Sequence, residues 1–185
     1  ATGLGNRPDR DGMRWWGAGL DTSQRFGDGG TANGLDGDAP SLNGGVQWAT
    51  GNLTYGAFAG YGQAKMDWGM RRGSFKQTDT TLGGFVGWYG DGPFVNAQLS
   101  YTWLDFDIKR DIVLGPAVRT HRGSADGSNL TAGASAGWTF THGNLSHGPV
   151  LGVVSQRIDV DGFAESDPTM STSLAYSDQS FNSMV

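Results

Sequence analysis

The 185-residue chain has no cysteine. Disulfides, thiol nucleophiles and zinc–thiolate sites are excluded together. Long apolar runs are also missing. Hydrophobic residues make up 37% of the chain, in stretches of a few residues, against the ~20 that a membrane-spanning helix needs. Positive charge is scarce: 13 Lys and Arg stand against 18 Asp and Glu, for a net charge of −5. That argues against a general nucleic-acid partner. Glycine is abundant, with 32 residues, but no G-X-Y period accompanies it, which excludes collagen. No signal peptide opens the chain. The first apolar cluster, 13–20, is short and interrupted by Gly17 and Gly19.

What the sequence does have is a period of two. Leu130, Ala132, Ala134, Ala136, Trp138 and Phe140 alternate with Asn129, Thr131, Gly133, Ser135, Gly137 and Thr139. Strand side chains alternate faces, so this is a ribbon with one apolar and one polar side. Val95, Ala97, Leu99, Tyr101 and Trp103 repeat it against Asn96, Gln98, Ser100 and Thr102. Leu53–Tyr61 and Leu42–Trp48 follow the same rule. Two segments are less clean: 82–89 is apolar on both faces, and 150–160 changes phase midway.

A soluble β-sandwich also alternates. Three features favour a membrane barrel instead. The central polar face is small and uncharged. Aromatics stand beside short turns: Trp48 before 49–52, Trp88 before 90–93, and Trp138 and Phe140 before 141–144. Such rings suit a membrane interface. Short connections alternate with longer, charged ones at 25–39, 69–76, 109–127 and 162–172. Together these are the signature of an outer-membrane β-barrel. Eight strand steps from Val95 to Trp103 cover about 26 Å, or about 20 Å of height at a ~40° tilt. The fold expected is therefore all-β, an antiparallel transmembrane barrel. About eight strands are present: 13–25, 41–50, 52–67, 74–90, 93–110, 117–140, 145–161 and 172–185. Residues 1–12 read as a linker leading into the barrel at 13–185.

This reading assigns Asn96, Gln98, Ser100, Thr102, Thr131, Gly133, Ser135 and Gly137 to the pore. Val95, Ala97, Leu99, Tyr101, Leu130, Ala132, Ala134 and Ala136 face lipid. Trp48, Trp88, Trp138 and Phe140 form an aromatic girdle. Candidate chemistry is thin. Asp28, Asp36 and Asp38 lie on glycine-rich turns of a kind calcium uses, but at no recognised spacing, and read as a surface loop. Asp105, Asp107, Asp111, Asp159, Asp161 and Glu165 read as rim charge, not acid/base pairs. His121, His142 and His147 make no metal motif, and no G-x-S-x-G or G-D-S nucleophile setting is present. No catalytic residue, cofactor or metal is expected. Arg71, Arg72, Lys76, Lys109, Arg110, Arg119 and Arg122 cluster at the outer loops. They suit either contact with lipopolysaccharide phosphates or a solvated rim.

The segments 160–165 (V-D-G-F-A-E) and 171–176 (S-T-S-L-A-Y), with Gln179, resemble the late strands of autotransporter β-domains. The closest likeness is to those with GDSL-type esterase passengers. Residues 14–19 and 53–61 resemble their first and third strands. The resemblance implies a twelve-stranded barrel in the bacterial outer membrane, with its C-terminal strands beyond Val185. It also implies an N-terminal passenger joined by a helix in the pore, and a non-catalytic translocator and anchor as the function. Expected partners are outer-membrane lipid and lipopolysaccharide, the passenger and linker helix, and the barrel assembly machinery. Two alternatives stay open: a complete eight-stranded barrel with a structural or adhesion role, and a soluble β-sandwich binding module.

Overall fold

The computed structural model describes residues 11–26, 35–69, 72–143, 145–167 and 169–185. Its strands are β1 (Gly12–Leu20), β2 (Ser23–Phe26), β3 (Leu35–Asp38), β4 (Ser41–Thr50), β5 (Leu53–Trp68), β6 (Gly73–Tyr89) and β7 (Pro93–Leu114). They continue with β8 (Ala117–Trp138), β9 (Phe140–His142), β10 (Leu145–His147), β11 (Val150–Val160), β12 (Phe163–Ala164), β13 (Ala175–Tyr176) and β14 (Gln179–Met184). The main sheet runs β1-β4-β5-β6-β7-β8-β11-β14, antiparallel at every step. Those eight strands correspond to the eight expected. β1 and β14 are its edges, and among the described residues no ladder joins them. The linker expected at 1–12 lies largely outside the described residues. β1 already includes Gly12, and the Asp11 carboxylate accepts the Gly51 N–H at 3.0 Å.

Turns at the lower rim are short. Gly51-Asn52 joins β4 to β5, with Gly51 at φ +55°. Glycine adopts that left-handed value without a Cβ clash, and a two-residue hairpin turn requires it. The upper rim differs from expectation. The charged stretch 109–127 is not a loop: β7 and β8 pair without a break from Pro93↔Trp138 to Leu114↔Ala117. Only Gly115 and Pro116 turn the chain. Likewise β5 and β6 stay paired from Leu53↔Trp88 to Trp68↔Gly73, which absorbs half of the expected 69–76 loop. At the lower rim β8 stops at Trp138, and the expected tight turn 141–144 belongs to a separate small hairpin, β9–β10.

Candidate functional site

The ladders sort every strand residue onto one of two faces. One face is open. On it, β7 carries Val95, Ala97, Leu99, Tyr101 and Trp103, and β8 carries Leu130, Ala132, Ala134, Ala136 and Trp138. Leu99 is 55% exposed and Leu151 80%. A sandwich would bury these side chains under a second sheet. Here they form a continuous apolar surface far too large to leave in water. The other face is more covered, and it holds Asn96, Gln98, Ser100, Thr102, Thr131, Gly133, Ser135 and Gly137.

Aromatic rings bound the open band. Trp48 stacks on Tyr55 at 5.8 Å, and Trp138 on Phe140 at 6.2 Å. Trp88 stands between them along the same rim. At the other boundary, Tyr101 packs edge-on against Trp103 at 4.9 Å. The lower tryptophans do not share a ladder row. The row through Trp48 reaches Val86 on β6 and Ala134 on β8; the row through Trp88 reaches Ala136. Each tryptophan is displaced two residues from the last, over two strands. The upper boundary slides the same way: apolar open-face residues reach Leu42 and Tyr61 on β4 and β5, Leu130 on β8, and only Val153 on β11. So β11 keeps its phase. Its open face passes from Leu151 and Val153 to Ser155, Arg157 and Asp159 as it leaves the band.

Above the band the two faces exchange character. On β7 the open face becomes Asp105, Asp107, Lys109 and Asp111, while the covered face becomes Leu104, Phe106 and Ile108. Phe75 meets Phe106 at 5.9 Å. Leu104 and Ala125 are among the few buried apolar residues. This upper half is built like a soluble sheet, polar outside and apolar within. Its alternation is intact but inverted, which is why it reads as charged loop in the sequence.

Within the band the covered face is not a bare glycine wall. Phe85 lies over Gly56, Phe58 over Gly83, Phe94 over Gly137 and Trp16 over Gly45. A Cβ at Gly56 would stand 2.7 Å from the Phe85 ring, and one at Gly137 2.5 Å from Phe94. Three polar atoms on one row, Thr54 Oγ1, Asn96 Nδ2 and Ser135 Oγ, are buried without a hydrogen-bond partner among the described residues.

A strap closes over the upper covered face. Residues 161–167 and 169–178 leave β11 and fold back through the β12–β13 pair, Phe163↔Tyr176 and Ala164↔Ala175. The Phe163 ring stacks on Tyr176 at 4.9 Å and lies over Gly123. Arg110 Nε donates to Glu165 Oε1 at 2.9 Å, while Nη2 donates to Oε2 and to the Thr172 carbonyl. His121, 1% exposed, places Nδ1 3.1 Å from the Ser166 carbonyl and Nε2 2.9 Å from Thr172 Oγ1. A carbonyl only accepts, so Nδ1 is the donor. The Ser166 N–H and Oγ take up Arg122 O and N on β8, a stretch that β11 does not reach. Hydrogen bonds from Arg110 hold the Glu165 carboxyl below its ordinary range, burial opposes this, and the Leu174 N–H assists.

The other candidates divide. Asp28 and Arg71 lie outside the described residues. Asp36 pairs with Arg25 at 2.7 Å on the exposed β2–β3 hairpin. Lys76, Lys109 and Arg122 are on the open side. Arg110 is not free at the outer surface as expected, because it holds Glu165; Arg119 is exposed and reaches Met170 of the strap. Glu165 is a latch and not rim charge. His121 is structural, and no local pattern marks its partners, which lie 45 and 51 residues away. Among the described residues no group of three or more His, Asp or Glu could hold a metal.

Residues 15–185 match the family described as Autotransporter beta-domain. Esterase EstA of Pseudomonas aeruginosa is 26% identical over 128 residues, which is 67% of this chain and 20% of that protein. Esterase EstA of Pseudomonas putida matches to the same extent. The chain thus spans about one fifth of these curated relatives. The translocator domain of autotransporter NalP from Neisseria meningitidis superposes with a TM-score of 0.73 at 19% identity, over 95% of this chain and 61% of that one.

Proposed function

The chain belongs to the autotransporter β-domain family, and from that premise we propose that it anchors and helps deliver a passenger joined upstream of Ala1. The domain lies in the bacterial outer membrane. The observation that carries the reading is the exposed apolar band of the open face, bounded by aromatic rows. That face meets lipid, and the covered face lines the pore. The unpartnered Thr54, Asn96 and Ser135 atoms favour a polar occupant there. The passenger's linker supplies one, since its backbone offers donors and acceptors.

Further strands of the same polypeptide close the edges at β1 and β14, because unpaired backbone in lipid costs several kcal/mol per group. Twelve strands in all is the number that the family resemblance implies. The barrel itself performs no covalent chemistry, and the passenger is an esterase like those named for the relatives. Lys76, Lys109 and Arg122, just above the band, meet lipopolysaccharide phosphates, and the barrel assembly machinery inserts the domain.

A photo-cross-linking side chain in place of Asn96 tests the reading during export. Adducts with the segment upstream of Ala1 are expected. Adducts with lipid alone would overturn the face assignment.

A further inference from the structure

Along the apolar band the covered face carries almost no charge. Its positions are the even residues of β1, β5, β7 and β11 and the odd residues of β4, β6, β8 and β14. From one aromatic boundary to the other, two of the described residues there are charged: Arg14 on β1 and Asp79 on β6. Both are half-buried. The slide of one residue per strand that aligns the lower tryptophans fixes their heights. Met13 faces Trp48, and one strand back the level line lies one residue higher, at Arg14. Trp103 faces Thr80, and the same step puts Asp79 level with Trp103. Asp79 to Trp88 is nine residues of β6, or about 24 Å of height at a ~35° tilt. The Asp79 carboxylate lies over Gly62 and has no hydrogen bond or ion pair among the described residues. The lumen thus has a negative charge at its upper end, a positive one at its lower end, and none between.

The chain enters β1 from the lower rim, where Asp11 holds the Gly51 turn. A passenger outside the cell therefore joins it through a segment that descends the pore with its N-terminal end uppermost. Once the barrel is closed, the wall offers that segment side-chain amides and hydroxyls but no strand edge. Its backbone groups must satisfy one another, which a helix does. A helix carries roughly half a positive charge at its N-terminus and half a negative one at its C-terminus. In the descending direction the positive end comes beside Asp79 and the negative end beside Arg14. The height between them suits about 16 residues at ~1.5 Å each.

We propose that Asp79 and Arg14 are the two poles of a helix-binding lumen. Asp79 accepts from the first-turn N–H groups of the linker, and Arg14 donates to its last carbonyls. This rests on the linker occupying the pore, as above, and adds the residues that hold it and the direction they select.

The test uses the full-length protein carrying Gln98→Cys, in phospholipid vesicles at low salt. A bulky water-soluble thiol reagent reaches residue 98 only when the linker has left the pore, so the rate at that peptide follows the vacant fraction. Asp79→Asn and Arg14→Gln should each speed the reaction roughly two- to five-fold. Exchanging the charges, Asp79→Arg with Arg14→Asp, keeps the net charge and should speed it more than about tenfold. Asp79→Glu and Arg14→Lys should keep the parent rate. A photo-cross-linking side chain at Asn96, in a parallel sample, reports whether the linker is there. A parent rate in the exchanged variant, with Asn96 cross-linked to the upstream segment, would overturn the poles and leave the linker reading standing. No adduct with that segment would remove the linker reading and the poles with it. If the exchanged variant does not assemble, the two neutral variants decide by the same rates. Loss of the heat-modifiable form in those two would make the charges part of the barrel's own stability and overturn the proposal.

Discussion

Trp88 and Trp138 stand two strands apart, and the ladder offsets them by two residues: the row through Trp88 reaches β8 at Ala136. Trp48 precedes Trp88 by the same offset. One residue of slide per strand is ~3.3 Å along against ~4.8 Å across, a slope of about 35°. Transmembrane barrel strands tilt by about that much. The three tryptophans therefore mark a level line across tilted strands.

Depth measurements check this. Single cysteines replacing Trp48, Trp88 and Trp138 in the otherwise Cys-free chain, spin-labelled in vesicles, should report one common depth. Ala134→Cys shares a ladder row with Trp48 but should sit about 11 Å deeper in the bilayer, four residues along a tilted strand. Equal depths for Trp48 and Ala134 would mean strands upright in the membrane.

The Arg110–Glu165 pair should govern the strap and not the sheet. Glu165→Gln removes the charge from a buried acceptor of three hydrogen bonds. A hydrogen bond to a charged group is worth about 1.5–3 kcal/mol. Limited proteolysis of the variant should cut within 165–173, while heat-modifiable gel mobility stays that of the parent. Loss of the folded gel form would show that the latch supports the whole barrel.

The same latch has a pH dependence with a fixed sign. Glu165 is held below its ordinary carboxylate range by Arg110. A depressed carboxyl contributes stability that is full above the unfolded value and is lost as pH falls through the folded one. Protection of a cysteine at half-buried Ser173 from a water-soluble reagent should hold at neutral pH. It should fall as the medium is acidified below the ordinary carboxylate range. Glu165→Gln should flatten that profile.

Much of the band was legible because period-two alternation states the face of each residue. Leu99 and Gln98, or Ala134 and Ser135, fall on the faces that the sequence separates. The upper half reads as loop for a physical reason. Once a strand leaves lipid, its outward face turns polar, and Asp105, Asp107 and Lys109 look like loop. The inward Leu104, Phe106 and Ile108 are the sign of a continuing strand with faces exchanged. The strap was not legible at all. Glu165 and Arg110 are 55 residues apart, and no local pattern announces a pair that tertiary packing creates.

Sidedness is tested at the corrected turn. Gly123 lies under the Phe163 ring within β8, so an epitope there would break the sheet. The two-residue turn at Gly115 and Pro116 is exposed and accepts an insertion. A tag after Gly115 should be labelled on intact cells, and one after Gly51 only after the outer membrane is opened. Labelling at Gly51 on intact cells would invert the topology.

Leu99 and Gln98 give the sharpest contrast between faces. They are adjacent near mid-strand on β7, Leu99 in the open band and Gln98 over Gly133 on the covered side. A charge facing lipid near the bilayer midplane costs roughly 2–4 kcal/mol, and one facing a wet lumen far less. In the full-length protein, Leu99→Arg should sharply reduce the heat-modifiable assembled form, and Gln98→Arg should leave it nearly intact. Lost assembly alone does not identify lipid, since a protein core also rejects arginine. Leu99→Cys completes the test: its thiol should react with a lipid-soluble reagent and resist a water-soluble one. Resistance to both would place Leu99 in a protein core and end the lipid assignment of the open face.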